Sequence, residues 1–244
     1  MTSQVTDHNR PVAVVTGGIR RLGLAITRHL LISGYRVVGT SHEKEPVLPF
    51  DLADHPCFHF FSLDYCNLKA EDYIATVGQM VTLSGGSPVV LINNAAVIRE
   101  TRLGTVNDSD WEQLFAINLK GLFFLTQALI PHMKTGHIIN IADTAGSLNW
   151  TRYLVYSLTK SGVIHLTRQL AIACAPSVQV NAIAPGTVIP FDAAGEEELA
   201  FAKSRSLLNR IGSPEEVIRL IDVILKSTFM TGSVLTVDGG RALL

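Results

Sequence analysis

The 244-residue chain has few cysteines, little charge and no very long apolar run, and each shortage removes a class of function. Its three cysteines, Cys57, Cys66 and Cys174, are scattered, so no disulfide framework is encoded and a reducing compartment is expected. Charged residues are only 17% of the chain and the net charge is −1, which leaves no basic footprint for a nucleic-acid backbone. No apolar run reaches the ~20 residues that a spanning helix needs. The opening MTSQVTDHNR is polar and lacks the apolar segment of a secretory signal. The expectation is a cytoplasmic protein with a flexible tail over residues 1–10 and no nucleic-acid or membrane partner. Low-complexity tracts and fixed-period repeats are absent as well.

Hydrophobic residues make up 47% of the chain, enough for the core of one large domain over 11–244. What recurs is an apolar run, a Gly or Asn turn, then helical spacing. The runs at 11–16, 35–40, 57–63, 88–94, 137–142, 178–184 and 233–237 read as strands. Helical stretches are expected over 21–33, 69–83, 108–133, 153–174 and 214–227. Gly34 reads as the residue that closes the first helix, and Ser213-Pro214-Glu215-Glu216 as a capped helix start. Alternating strands and helices predict an α/β fold: a doubly wound, mainly parallel seven-stranded sheet with helices on both faces, Rossmann-like, in a single domain. In such folds ligands bind beyond the carboxyl ends of the strands, so the residues just after each strand are the ones to search.

The first strand opens into Thr16-Gly17-Gly18-Ile19-Arg20-Arg21-Leu22-Gly23 and a helix. Glycines there let the backbone approach a phosphate, and the helix start supplies N–H donors. Arg20 and Arg21 can reach that phosphate, since cations at the positive end of a helix dipole are unfavourable without an anion. The second strand ends in Gly39-Thr40-Ser41-His42, with no acid to hold ribose hydroxyls; Glu43 lies further out. That pattern favours the 2′-phosphate of NADP, with Ser41 and His42 as candidate donors.

Tyr156 and Lys160 lie four apart and share one helix face. An ammonium beside a phenol is expected to lower its pKa from about 10 by ~2–3 units, which suits acid–base work. Asp143 stands thirteen positions before the tyrosine, either as part of the site or as a turn residue in DTAG. HPCFH (55–59) brings two histidines and a cysteine together without a fourth ligand, so no metal site is assigned.

These motifs, in this order, resemble the short-chain dehydrogenase/reductase family over nearly the whole chain: TGGIRRLG, Asp64 after the third strand, NNAA (93–96), Asn118, the Tyr156/Lys160 pair, NAIAPG (181–186) and VDGGR (237–241). The resemblance implies NADP(H) as cofactor, a small-molecule substrate and a homotetramer. It implies that Gly17, Ile19, Arg20, Arg21, Leu22 and Gly23 cradle the cofactor and that Asp64 and the Tyr65 backbone hold the adenine. Asn94 and Ala95 would line the cleft, Lys160 would bind the nicotinamide ribose, and Pro185, Gly186, Thr187 and Val188 would border the nicotinamide. Tyr156 and Lys160 would be catalytic, with Asn118 ordering a water beside Lys160.

Two departures refine the resemblance. Most members have a third loop glycine where this chain has Arg21, and a serine where it has Asp143. Both changes together resemble the pteridine reductases and the related dihydromonapterin and dihydrofolate reductases. There the arginine lies near cofactor phosphate and pterin, and the aspartate joins the tyrosine in protonating a ring nitrogen. Ile98 stands where those enzymes carry a stacking aromatic, so Trp150 or Phe191 would have to stack the ring instead. Arg99 and Arg102 either face an anionic substrate or belong to a solvated loop, and the acidic GEEELA (195–200) either forms part of a substrate lid at about 187–212 or is a solvated face. The leading expectation is an NADPH-dependent dihydropteridine reductase. A ketone or 3-oxoacyl reductase is the first alternative and an NADP-sensing binding protein the second.

Overall fold

The computed structural model describes residues 10–190 and 195–244. The expected tail over 1–10 falls almost wholly outside them, as does Phe191. Within them the seven expected strands form one sheet: β1 (Val12–Val15), β2 (Arg36–Ser41), β3 (Phe58–Ser62), β4 (Pro88–Asn93), β5 (Gly136–Ile141), β6 (Val178–Pro185) and β7 (Val234–Val237). Their order is β3-β2-β1-β4-β5-β6-β7, and every neighbouring pair is parallel.

The sheet is buried on both faces, and the alternation of side chains along each strand feeds two cores. Ala13 and Val15 point into one, with Val37, Ile92, Ile139 and Ile183. There they meet Ile26, Leu30 and Leu31 of α1 (Arg21–Ile32) and Val217, Ile221 and Ile224 of α8 (Pro214–Lys226). Val14 points the other way, with Val38, Leu91, Ile138 and Val180. That face is covered by Val77 and Met80 of α3 (Asp72–Ser84), Leu125 and Leu129 of α5 (Gly121–Leu129), and Leu170 and Ala171 of α6 (Leu154–Cys174). A short α2 (Phe50–Ala53), which the sequence reading left as connection, follows β2, and α4 (Asp108–Phe115) precedes α5.

Several local expectations are settled by hydrogen bonds. Gly34 closes α1 at φ +89, and the Gly34 and Tyr35 amides donate to the Leu31 and Leu30 carbonyls. Ser213 does occupy the cap of α8, but its side chain makes no capping hydrogen bond, so the start of that helix rests on Pro214 and on Glu215 and Glu216 in its first turn. The acidic stretch is a helix, α7 (Glu196–Ser204).

The stretch expected as one helix over 108–133 is interrupted. α4 passes into a π-helical turn, Ala116–Lys120, before α5 begins, and a 3₁₀ turn closes the segment. Asp108–His132 is long and apolar enough to cross a bilayer by length and composition, unlike anything the sequence reading anticipated. In the fold its Leu114, Leu122, Leu125 and Leu129 are buried, and its middle lies against the sheet through a polar ladder. Asn93 Nδ2 donates to Thr126 Oγ1 of α5 and to Asn140 Oδ1 of β5, and Asn140 Nδ2 donates to Thr167 Oγ1 of α6.

Candidate active site

The strand order reverses between β1 and β4, and the crevice beyond their carboxyl ends opens there. Thr16 ties the two strand ends together: its Oγ1 accepts from the Asn94 and Ala95 amides, while Asn94 Nδ2 donates to the Thr16 carbonyl. The turn that follows leaves no room for a side chain at its glycines. Gly17 sits at φ +64, and a Cβ on Gly23 would lie inside the contact distance of the Gly17 carbonyl oxygen. Bare backbone and the start of α1 therefore face a cleft of about 580 Å³, within the usual range for cofactor sites. Gly17, Ile19, Arg20, Arg21, Leu22, Gly23, Ser41, His42, Asp64, Tyr65, Asn94 and Ala95 all line it. The cradle fits a pyrophosphate, and the cleft has the shape for a dinucleotide.

The two arginines divide their work. Arg20 caps α1 and pairs with Glu43 at 2.5 Å beside the Ser41–His42 edge. Arg21 holds φ +50 where glycine would be unstrained, and its Nη2 donates to the Ile189 and Pro190 carbonyls at 3.2 and 2.8 Å. It thus ties the first turn to the loop after β6. Asp64 accepts from the Cys66 amide and from Asn67 Nδ2, which shapes the turn that follows β3.

Asp143, Tyr156 and Lys160 converge at the end of β5. Tyr156 Oη donates to Asp143 Oδ2 at 2.8 Å, and Asp143 Oδ1 accepts from the Ala145 amide at 2.7 Å. The aspartate therefore closes the turn after β5 with one oxygen and faces the phenol with the other. Lys160 Nζ donates to the Ile141 carbonyl at 2.8 Å and lies 5.8 Å from the centre of the Tyr156 ring. Both side chains are buried. Burial pushes the Tyr156 pKa well above its ordinary value, and the Asp143 charge and hydrogen bond push it the same way. The direction is opposite to the expected depression of the phenol, because desolvation and an anion at hydrogen-bond distance both favour its protonated form. The lysine is itself perturbed, lowered by burial to about 8 although Asp143 acts to raise it.

Asn118 sits in the π-helical turn, which delivers its side chain to the β4–α4 connection. Its Oδ1 accepts from the Val97 amide, and its Nδ2 donates to the Val97 carbonyl and to Thr159 Oγ1. These contacts tie the β4–α4 connection to α6. On the substrate side, Gly186 is bonded to β7 through its amide, and Thr187 and Val188 continue from Pro185 along the mouth of a second, smaller cavity. Trp150 packs at 6.1 Å from the Tyr153 ring and lies 4.3 Å from the Arg241 guanidinium. Ile98 is at the surface, while its neighbour Val97 lines the cleft. Arg99 pairs with Asp110 and Arg102 with Glu100, which makes both part of a solvated ion-pair surface. Arg241 went unread in the sequence; its only signal was a cation directly after the DGG turn.

A model of the family described as short chain dehydrogenase matches residues 11–197. A 3-oxoacyl-[acyl-carrier-protein] reductase of Thermotoga maritima is 34% identical over 237 residues, covering 94% of this chain and 96% of the relative. The enzyme of the same name from Aquifex aeolicus is 32% identical over 239 residues, with the same coverage of 94% and 96%. Among solved structures, ElxO with NADP bound superposes with a TM-score of 0.85 at 24% identity, over 96% of this chain and 100% of that one.

Proposed function

The chain belongs to the short-chain dehydrogenase family, and from that premise we propose that it is an NADPH-dependent reductase of a carbon–nitrogen double bond in a dihydropteridine-type substrate. Membership makes it an oxidoreductase that works with a nicotinamide dinucleotide. The choice of NADPH rests on the strand end Thr40-Ser41-His42, which offers hydroxyl and imidazole groups and no carboxylate where a ribose 2′-phosphate would sit. Glu43, the nearest acid, is engaged by Arg20.

The observation that carries the substrate class is the 2.8 Å hydrogen bond from Tyr156 to Asp143. A ketone oxygen offers only lone pairs, and a carboxylate facing it opposes the charge that develops in reduction. A dihydropteridine offers ring N–H and amino groups, which the remaining lone pairs of Asp143 can accept. When bound, NADPH supplies a hydride to the carbon of the C=N bond and ends oxidised. The bond's electron pair moves to nitrogen, and Tyr156 is placed to give that nitrogen its proton. Its raised pKa keeps the phenol protonated through neutral pH, and the Lys160 ammonium stabilises the phenolate left behind. Asp143 orients both the phenol and the ring.

A second reading, reduction of a ketone or 3-oxoacyl compound, is favoured by the names of the two bacterial relatives. One substitution separates the two. Asp143→Ser is expected to lower kcat/KM for dihydromonapterin by about a hundredfold and to raise it for a 3-oxoacyl thioester, because serine can donate to a carbonyl oxygen. Following NADPH oxidation with both substrates measures this. Unchanged pterin turnover in the variant, or wild-type turnover of the thioester alone, rejects the pterin reading in favour of the second. A cytoplasmic setting and a homotetramer accompany the proposal; light scattering tests the latter.

A further inference from the structure

A second cavity, of about 120 Å³, lies among the segments that follow β6, α7 and β7. It is bounded by Thr187 after β6, Arg205 and Ser206 after α7, Arg210, and Gly239 and Arg241 after β7. We propose that this cavity is an anion subsite that receives an acidic substituent of the substrate, a carboxylate or a phosphate, on Arg241 and Arg205. The inference deepens the reductase reading and rests on it for the reacting group, but it is indifferent to whether a C=N or a C=O bond is reduced.

The charges require a partner. Arg205 and Arg241 both face the cavity, and among the described residues neither has a carboxylate within ion-pair distance. Two acids border it as well, against three arginines, Arg205, Arg210 and Arg241. Asp238 accepts from the Gly240 and Ala242 amides at 2.9 and 2.7 Å, and Glu216 pairs with Arg210 and Arg219. Arg241 is partly desolvated. Its pKa is lowered, first by burial and also by Arg205, while Asp143 and Asp238 act to raise it. Two like charges at a half-buried cavity repel, and an anion between them removes the penalty.

The donors are also set for such a group. Arg241 Nη1 donates to Thr187 Oγ1 at 3.1 Å, and its planar group lies over the Trp150 ring, which fixes its orientation. Its Nε is buried and has no hydrogen-bond partner among the described residues. Beyond the bond to Thr187 the guanidinium keeps further N–H donors for an anion. The cavity has room for a carboxylate or a phosphate. Thr187 ties the subsite to the end of β6, which it follows closely in the chain.

The test has two arms. In the first, NADP⁺-loaded enzyme, its pyrophosphate cradle filled, is titrated calorimetrically with glutarate and, separately, with inorganic phosphate. The proposal expects at least one to bind, and Arg205→Gln and Arg241→Gln each to weaken it about tenfold; which probe binds identifies the acid. Binding by neither probe, or binding unchanged in both variants, overturns the proposal. In the second arm, kcat/KM is compared for dihydrofolate against dihydromonapterin and for a 3-oxo acid against its methyl ester. Selectivity for the acid-bearing member of whichever pair turns over should fall about tenfold in Arg241→Gln and recover in part in Arg241→Lys, which keeps the charge. Equal losses on both members would assign Arg241 to packing on Trp150 and overturn the subsite. If neither pair turns over, the reductase reading fails, while the titration still decides the cavity.

Discussion

Lys160 is one of the most perturbed single groups in the molecule. Folding lowers its pKa from 10.5 to about 8 by burial, so between those values the unfolded chain binds the extra proton. Stability then rises with pH across that window. The buried tyrosines act in the opposite sense, because Tyr156 and Tyr73 hold their protons above the ordinary phenol value, and their contribution declines once pH passes about 10. Urea unfolding of the cofactor-free enzyme should therefore show stability increasing from pH 8 to 10, and Lys160→Met should flatten that increase, of roughly 2 kcal/mol. A slope that survives in the variant would assign it to other groups. The pair Tyr156/Lys160 was legible in the sequence because spacing on a helix fixes a shared face. The direction of the tyrosine's pKa was not, because burial and the Asp143 contact come from β5 and the turn after it.

At the scale of elements, the π-helical turn between α4 and α5 does what a regular helix could not: it aims Asn118 at both backbone groups of Val97 and at Thr159 of α6. The β4–α4 connection and the catalytic helix are thus held by one side chain. Asn118→Ala leaves the Val97 amide and carbonyl without those partners. The expected cost is about 2–4 kcal/mol in equilibrium unfolding, with a larger loss in kcat than in KM as α6 loses its register. A cost below about 0.5 kcal/mol would mean that water or backbone replaces the clamp. Helical periodicity ran without a break over 108–133 in the sequence, so the inserted turn had no signal there; a single extra residue per turn is decided by what the helix must reach. The loop after β6 is similar. Arg21 accepts a left-handed backbone in order to tie it down, and only the folded chain brings positions 21, 189 and 190 together.

At the scale of the whole molecule, the glycine turn, Asp143 and the segment from Pro185 follow the carboxyl ends of β1, β5 and β6, and the binding of a dinucleotide there couples to stability. At about 100 times its Kd a ligand adds roughly 2.7 kcal/mol, which for a chain of this size corresponds to a rise in Tm of about 5–10 °C. NADPH is expected to produce that rise at a concentration where NADH produces little, read by thermal denaturation. Equal shifts, or a larger one with NADH, would reject the assignment of Ser41 and His42 to a 2′-phosphate. The architecture and the first turn were legible in the chain's local patterns: strand and helix periods and the glycines are local, and each constrains the backbone wherever it lies. The sequence also placed the phenol and the ammonium on one helical face. Only the tertiary structure decided what Asp143 does, where Asn118 points and that Arg205 and Arg241 share a cavity. Those contacts join residues far apart in the chain, and the energies that set them, desolvation and charge at close range, exist only once the sheet has gathered its strand ends.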